Sequence, residues 1–400
     1  MSEETPALRA PARGALTNND DQNLSVVIGV DLGGTQIRAA VLRGSGLISR
    51  VAQPTGEDTV PEHLIPRIFN VIQQALDEAR TTLEQVAGIG IATPGPLDHR
   101  TGIIYAPPNL PGWDQVPLRA IFEQHFAPAS KRGDAAQLRI FVENDAHAAG
   151  LGEYLFGAGR GCSNMVYLTI STGIGGGVIV DGKIVEGVNG TAGELGHMTI
   201  DLNGGRCRCG NYGCLEYLAS GTAIARYANE AIAAGQGAEL LEFARVLQRH
   251  VNELEPPAHE AAGVGYEGSP SNFEAPGITA HIVSQAAQAG IPLARAIITN
   301  AAEAIGVGLV NIIHIFNPQV IVLGGGVTQM GPMLMEPALR IVQERTMKIP
   351  LDAVRIVLAE LGGNAGLVGA GALVYYYAGM QGTGVSGIPR AGGLKDFVGE

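Results

Sequence analysis

Two kinds of hydrophobic pattern alternate along the chain, and their order repeats. From Leu24 the run LSVVIGVDLGGTQIRAAVLRGSGLISRVAQP holds three β-rich segments separated by glycine turns, which predicts an antiparallel meander. The period then changes. In EHLIPRIFNVIQQALDEAR the residues Leu64, Ile65, Ile68, Val71, Ile72, Ala75, Leu76 and Ala79 recur at three- and four-residue intervals, the apolar stripe of a helix. A strand VAGIGIATPGP, a loop holding Asn109 and Trp113, a helix near Val116 to Phe126 and a strand LRIFVENDA are predicted next. NMVYLTISTGIGGGVIVDGKIVEG restarts the plan, with Ser171-Thr172-Gly173 falling where Asp31-Leu32-Gly33-Gly34-Thr35 fell before. Helices, a strand QVIVLGGGV and closing helices complete the second round. Two α/β halves of the same order imply an internal duplication with a cleft between them, and the period is too long for a solenoid.

The expected organisation is a flexible tail over residues 1–24, a small α/β domain over 25–143, a large α/β domain over 144–365 and a tail over 381–400. A C-terminal helix at about 366–380 completes the small domain. Glu253 to Gly277, rich in Pro, Gly, Ala and Glu, reads as a solvated insertion. Pro292 to Phe316 reads as a mostly buried helix, broken where Asn317-Pro318 leads into the next strand. No apolar run in Met1 to Gln22 matches a secretory signal, and the apolar stretches at Val307 to Phe316 and Gly366 to Ala378 are short and interrupted. No membrane segment is expected.

Composition narrows the function. A 400-residue chain with 46% hydrophobic residues can bury a large core in two or three domains. Its net charge of −12 opposes nucleic acid and anionic lipid as partners. Phosphate would have to be held locally, by backbone N–H groups, helix N-termini or a metal ion. Four cysteines make no disulfide framework, which fits a reducing cytoplasm.

Cys207, Cys209 and Cys214 crowd into one short stretch, ten residues after His197. One imidazole and three thiolates are the donor set of a closed tetrahedral Zn²⁺ site, and Gly204, Gly205, Gly210 and Gly213 let the backbone turn sharply between them. Free thiols or a redox pair are the alternative uses of such a cluster. Cys162 stands apart and suits a buried apolar position.

The run GELGHMTI followed by CRCGNYGCLE resembles the signature of the ROK family of sugar kinases and sugar-responsive repressors, in particular its bacterial ATP-dependent glucokinases. The motifs DLGGT, NLPGW, ENDA, STGIGGG and LGGGV appear in the family's order, from about Val26 to Ala378. The resemblance implies a duplicated actin, Hsp70 and hexokinase-like ATPase fold of α/β class, with two domains around a cleft.

It also implies site residues. Gly33, Gly34 and Thr35 of DLGGT would hold phosphate, and Asp31 would help hold Mg²⁺. Thr172 and Gly173 would form the second phosphate loop, with Gly325 and Gly326 under the adenosine of ATP. Asp145, following Glu143-Asn144 at a strand end, would be the catalytic base, although the residue pattern alone favours a cap for the helix beginning near Ala146. Asn109, Asn144, Asp145, Glu194, His197 and Glu216 would line the sugar. One ring nitrogen of His197 would ligate zinc, leaving the other N–H to donate to a hydroxyl. His147 departs from the asparagine or small residue usual after ENDA and is assigned no role; Trp113 reads as a packing anchor.

The implied activity is transfer of the γ-phosphate of ATP to the 6-hydroxyl of a hexose, glucose foremost, by a cytoplasmic homodimer or homotetramer. Mannose, fructose or an N-acetylhexosamine are alternative acceptors. A sugar-responsive repressor would need a helix-turn-helix segment ahead of the first strand, where only about two dozen residues stand. A polyphosphate-dependent kinase fits less well, since such relatives generally lack the cysteine cluster.

Overall fold

The computed structural model describes residues 24–107, 109–126, 138–254 and 277–380. The first half runs β1 (Val27–Leu32), β2 (Gln36–Arg43), β3 (Gly46–Pro54), α1 (Pro61–Ala79), β4 (Gly88–Thr93), β5 (Leu97–Asp98), β6 (Ile103–Tyr105), β7 (Asp114–Pro117), α2 (Leu118–Phe126) and β8 (Arg139–Asn144). After α3 (Asp145–Phe156) the second half runs β9 (Met165–Ile170), β10 (Ile174–Val180), β11 (Lys183–Ile184), α4 (Leu215–Ala219), α5 (Gly221–Ala233), α6 (Ala238–Leu254), α7 (Ala280–Gln288) and α8 (Pro292–Phe316). It closes with β12 (Val320–Gly324), α9 (Pro332–Arg345), α10 (Lys348–Ala353), β13 (Arg355–Leu358) and α11 (Ala365–Met380).

The duplication expected from the repeated pattern is present strand for strand. One sheet has the order β3-β2-β1-β4-β8 and the other β11-β10-β9-β12-β13. In each, two antiparallel pairings are followed by two parallel ones, with Val30 opposite Ile91 in the first sheet and Tyr167 opposite Val322 in the second. All six residues of β1 are buried, as are all five of β12, because helices cover both faces of each sheet.

Outer layers hold each sheet from one side. Ile68 and Ile72 of α1 and Phe122 of α2 pack with Ile28, Val30 and Ile91 of the first sheet. On the second sheet, Ile305 and Leu309 of α8 and Leu334 of α9 pack with Val166, Leu168 and Ile321. Between the sheets lie α3 and α11, which contribute Leu151, Leu155, Leu367 and Leu373 to a core shared with Val27 and Leu42 on one side and Tyr167 and Val322 on the other. Glycine makes this central layer thin. A Cβ on Gly369 of α11 would fall 2.2 Å from the Ala148 carbonyl oxygen of α3, and one on Gly90 of β4 would fall 1.8 Å from that of Ala370.

Among the described helices α8 alone is long and apolar enough to cross a bilayer, yet Ile298, Ile305, Leu309 and Ile313 place one of its faces in the core, matching the expected buried helix. Asn317, in the left-handed region at φ 42°, ends it. Asn109 and Trp113 lie in a loop as expected, and that loop joins β6 to β7 of a small antiparallel sheet, β5-β6-β7, which the pattern did not announce. Val116 and Pro117, read as the start of a helix, belong to β7, where Val116 pairs with Ile104. Strands of two to four residues carry too few alternations to show in the pattern. Residues 1–23, 255–276 and 381–400, which take in the two tails and most of the insertion, lie outside the described residues.

Candidate active site

Parallel strands β1, β4 and β8 end side by side, and ligands of α/β sheets gather at such carboxyl ends. Asn144 closes β8 in extended conformation, and its Oδ1 accepts the N–H groups of Ala146 at 2.9 Å and His147 at 3.3 Å. The cap of α3 is therefore Asn144, which corrects the reading of Asp145 as the cap. Asp145 is the first helical residue, and its Oδ1 takes only the adjacent Ala146 N–H, at 2.8 Å. Its side chain remains exposed at the strand ends, although protein atoms crowd it on the other sides. That crowding, with the negative charges of Asp31 and Glu194, outweighs the Ala146 N–H and the His147 charge and pushes its carboxyl up to about 6. Water reaching the exposed oxygens screens part of each effect.

Asp31, one residue before the end of β1, is buried and ion-paired with Arg38, its register partner on β2. Arg38 also donates to the Gly363 carbonyl at 2.8 Å, just ahead of α11. A Cβ on Gly366 would lie 2.4 Å from Asp31 Oδ2, so only a glycine in the first turn of α11 leaves room for the carboxylate. Beyond Asp31 the chain turns tightly, with the Gly33 N–H bonded to the Gln36 carbonyl at 2.9 Å and Gly34 and Thr35 exposed at the tip. Asn109 is exposed against this tip: its Cβ lies 3.2 Å from where a Gly34 Cβ would stand. Trp113 is fully buried and donates its indole N–H to the Thr59 carbonyl, anchoring that loop as expected.

The second turn, Ser171 to Gly173, stands at the corresponding place between β9 and β10. Thr172 is exposed, and its carbonyl accepts the Thr222 hydroxyl at 2.8 Å. Gly325, at φ 89°, presses on the end of β9, where a Cβ would fall 2.2 Å from the Ile170 carbonyl oxygen; Gly326 beside it is exposed and open. Bare backbone at both turns, with a carboxylate beside the first, is a donor set that fits a metal-bound nucleotide phosphate.

Glycines Gly210 and Gly213, at φ 94° and 65°, fold the segment before α4 so that its cysteines converge. His197 Nδ1 lies 3.8 Å from Cys207 Sγ, Cys209 Sγ lies 3.7 Å from Cys214 Sγ, and all four donor atoms fall within 4.8 Å of one another. Zn–S bonds of about 2.3 Å at tetrahedral angles place neighbouring donors about 3.8 Å apart, so the residues fit Zn²⁺. Burial, reinforced by the neighbouring thiols, pushes the Cys214 thiol up to about 12, so with no metal it stays protonated; a bound cation would displace that proton and hold it as a thiolate. The other ring nitrogen of His197 turns away, with Nε2 3.9 Å from Glu194 Oε2. Cys162 is buried apart from the cluster, as expected.

Glu216 sits on α4 immediately beyond the cluster, half-buried, and its Oε2 accepts the Ile174 N–H at 2.9 Å. One of its oxygens is thus committed to the second turn, a contact that no sequence signal announced. His147, assigned nothing from the sequence, is buried between Glu143 and the Ala192 carbonyl. Its departure from the family pattern, one turn into a helix and four residues after a glutamate, was the available signal.

Residues 27–376 match the ROK family, and the chain belongs to it. The glucokinase of Halalkalibacterium halodurans is 33% identical over 349 residues, 87% of this chain and 94% of that protein. A ROK family glucokinase from Streptomyces griseus, solved in complex with glucose and AMPPNP, superposes with a TM-score of 0.65 at 31% identity, covering 87% of this chain and 99% of that one. The xylose repressor of Caldicellulosiruptor bescii is 29% identical over 88% of this chain and 79% of the repressor.

Proposed function

We propose that this chain is an ATP-dependent hexokinase that transfers the γ-phosphate of ATP to the 6-hydroxyl of glucose. The observation that carries the reading is Asp145: relieved of capping by Asn144 and raised to about 6, it is a carboxylate at neutral pH with more basicity than an ordinary aspartate. A sugar sensor has no need of such a group. As the sugar O6 bonds to the γ-phosphorus and the bond to the bridging oxygen of ADP breaks, Asp145 takes the hydroxyl proton.

The remaining residues bind and orient. Glu194 accepts from sugar hydroxyls, His197 donates through Nε2–H, and Asn109, Asn144 and the second oxygen of Glu216 complete the ring of contacts. Gly33, Gly34, Thr35, Thr172 and Gly173 offer backbone and hydroxyl donors to the phosphates, while Gly325 and Gly326 lie under adenosine. Asp31, steadied by Arg38, would help hold Mg²⁺, which neutralises phosphate charge when bound. Zn²⁺ on His197, Cys207, Cys209 and Cys214 is structural, because four protein donors leave no open position. The two halves act as domains, residues 25–143 and 144–365, closing on the sugar to exclude water. Four cysteines with no disulfide among them suit a cytoplasmic enzyme, and assembly as a homodimer or homotetramer belongs to the same reading.

A coupled assay of ADP release across glucose, mannose, fructose and N-acetylhexosamines tests the proposal. Release dependent on glucose supports it; release with another hexose alone moves the acceptor; ATP turnover indifferent to every sugar overturns it.

A further inference from the structure

His147 occupies an unfavourable place for a cation. It lies in the first turn of α3, where the helix dipole opposes positive charge, and it is only 4% exposed. Both of its ring nitrogens nevertheless face acceptors. Nδ1 lies 3.3 Å from Glu143 Oε1, and Nε2 lies 2.7 Å from the carbonyl oxygen of Ala192. A carbonyl oxygen can only accept, and Glu143 Oε1 already accepts the Asn144 N–H at 2.9 Å. Two N–H donors are what the site asks for, and an imidazolium supplies them.

Burial works against that charge, while the Glu143 carboxylate, the Ala192 carbonyl and the Glu194 charge favour it, leaving His147 above the ordinary histidine range. Glu143 is itself buried and fixed from the other side by the Tyr377 hydroxyl, 3.0 Å from Oε2. The far end of the bridge is equally specific. Gly193, at φ 85°, follows Ala192, and a Cβ there would fall 2.9 Å from His147 Nε2. Glu194 comes next in the chain, and its carbonyl accepts the His197 N–H at 3.0 Å.

We infer that His147 is a positioning residue: a strut from the rigid end of β8 to the segment carrying Glu194, fixing that sugar-facing wall against Asp145. The inference rests on the hexokinase reading for its consequence, glucose affinity, but not for the strut itself. A merely structural histidine would serve both substrates alike. A strut at this place acts on the sugar side only, because its far end is two residues from Glu194 and the nucleotide turns lie elsewhere.

Two substitutions divide the imidazole between its ends. His147→Gln can place an amide N–H where Nε2 stands and keep the Ala192 bond; His147→Asn can reach only as far as Nδ1 and keep the Glu143 bond. Hydrogen–deuterium exchange over residues 186–197 should quicken in the Asn variant and stay near wild type in the Gln variant. In the same preparations the glucose KM should rise about tenfold for Asn and less than threefold for Gln, with the ATP KM unmoved in both, as expected for loss of one charge-assisted hydrogen bond. Equal exchange in all three proteins overturns the strut, whatever the kinetics. Faster exchange in the Asn variant with unchanged glucose KM overturns the positioning role, as does an equal loss toward glucose and ATP. A wild-type protein that phosphorylates no hexose overturns the functional reading, while the exchange comparison still decides the strut.

Discussion

The two helices between the sheets are counterparts with opposite endowments. Each follows the last strand of its own five-stranded sheet: α3 comes after β8 and α11 after β13. Each then packs across the duplication, α3 against β9 and β10 of the second sheet and α11 against β1 and β4 of the first. At the start of α3 stand Asn144, Asp145 and His147, a cap, an exposed carboxylate and a buried imidazole. At the start of α11 stands Gly366, which offers nothing but space for Asp31. Duplication gives a symmetric frame, and the carboxylate proposed as the base stands in one copy only. The segment between the last meander strand and the next helix is just as unequal. It is a short link from Pro54 to Pro61 in the first half, but in the second it spans Ile184 to Leu215 and holds the cluster of His197, Cys207, Cys209 and Cys214. On the proposed function, the base at one helix start and a metal-held wall on the other side make the frame asymmetric where the phosphoryl acceptor would sit.

That contrast can be broken one side at a time. Asp145→Asn removes the reactive carboxylate and keeps the cap, so kcat should fall by roughly 10²–10⁴-fold while glucose and nucleotide affinities persist; a loss of less than tenfold in steady-state assays would show that the proton goes elsewhere. Glu216→Ala cuts the link between the zinc segment and the second turn, leaving the Ile174 N–H without its partner. The KM values for glucose and ATP should rise together, each by about tenfold, and Glu216→Gln should restore most of the loss. If only the glucose KM moves, the carboxylate serves the sugar alone.

Gly366→Ala tests the other helix. Its methyl group would crowd Asp31, so the ATP KM should rise several-fold and thermal stability should drop by about 1–3 kcal/mol. Gly363→Ala, where a Cβ meets nothing within 4 Å, should leave both unchanged. The pH profile gives the finest distinction. With Asp145 titrating at about 6, kcat/KM should fall about tenfold for each pH unit below that value. The stability sign is opposite: a carboxyl raised in the folded state contributes stability below its unfolded value, and that contribution is lost as pH rises through about 6. Asp145→Asn should therefore raise Tm relative to wild type more at pH 7.5 than at pH 5; the reverse order would mean a stabilised carboxylate.

The long meander strands, six residues in β1, eight in β2 and nine in β3, were legible because glycine turns separate them. The cluster of His197 with three cysteines was legible for a similar reason, since its members lie on one continuous stretch. What escaped was non-local. Gly366, Gly369 and Gly371 show in the sequence as flexible positions, but nothing local says that their missing side chains make room for Asp31, the α3 backbone and Leu42. That Asn144 and not Asp145 is the cap depended on where β8 stops pairing, Asn144 being its last residue, opposite Thr93. His147 showed only as a departure from the family pattern near Glu143; its second partner, a backbone carbonyl 45 residues away, is set by the fold and gave no signal.

The central claim is that a thiolate-bound metal holds the wall that aims a hexose at Asp145. It is tested most directly by measuring zinc content and glucose affinity on one preparation, before and after a chelator strips the metal. The account predicts about one zinc per chain, glucose binding that disappears with it and returns on adding zinc back, and ATP binding that persists throughout. Unchanged glucose affinity in the zinc-free protein would contradict it.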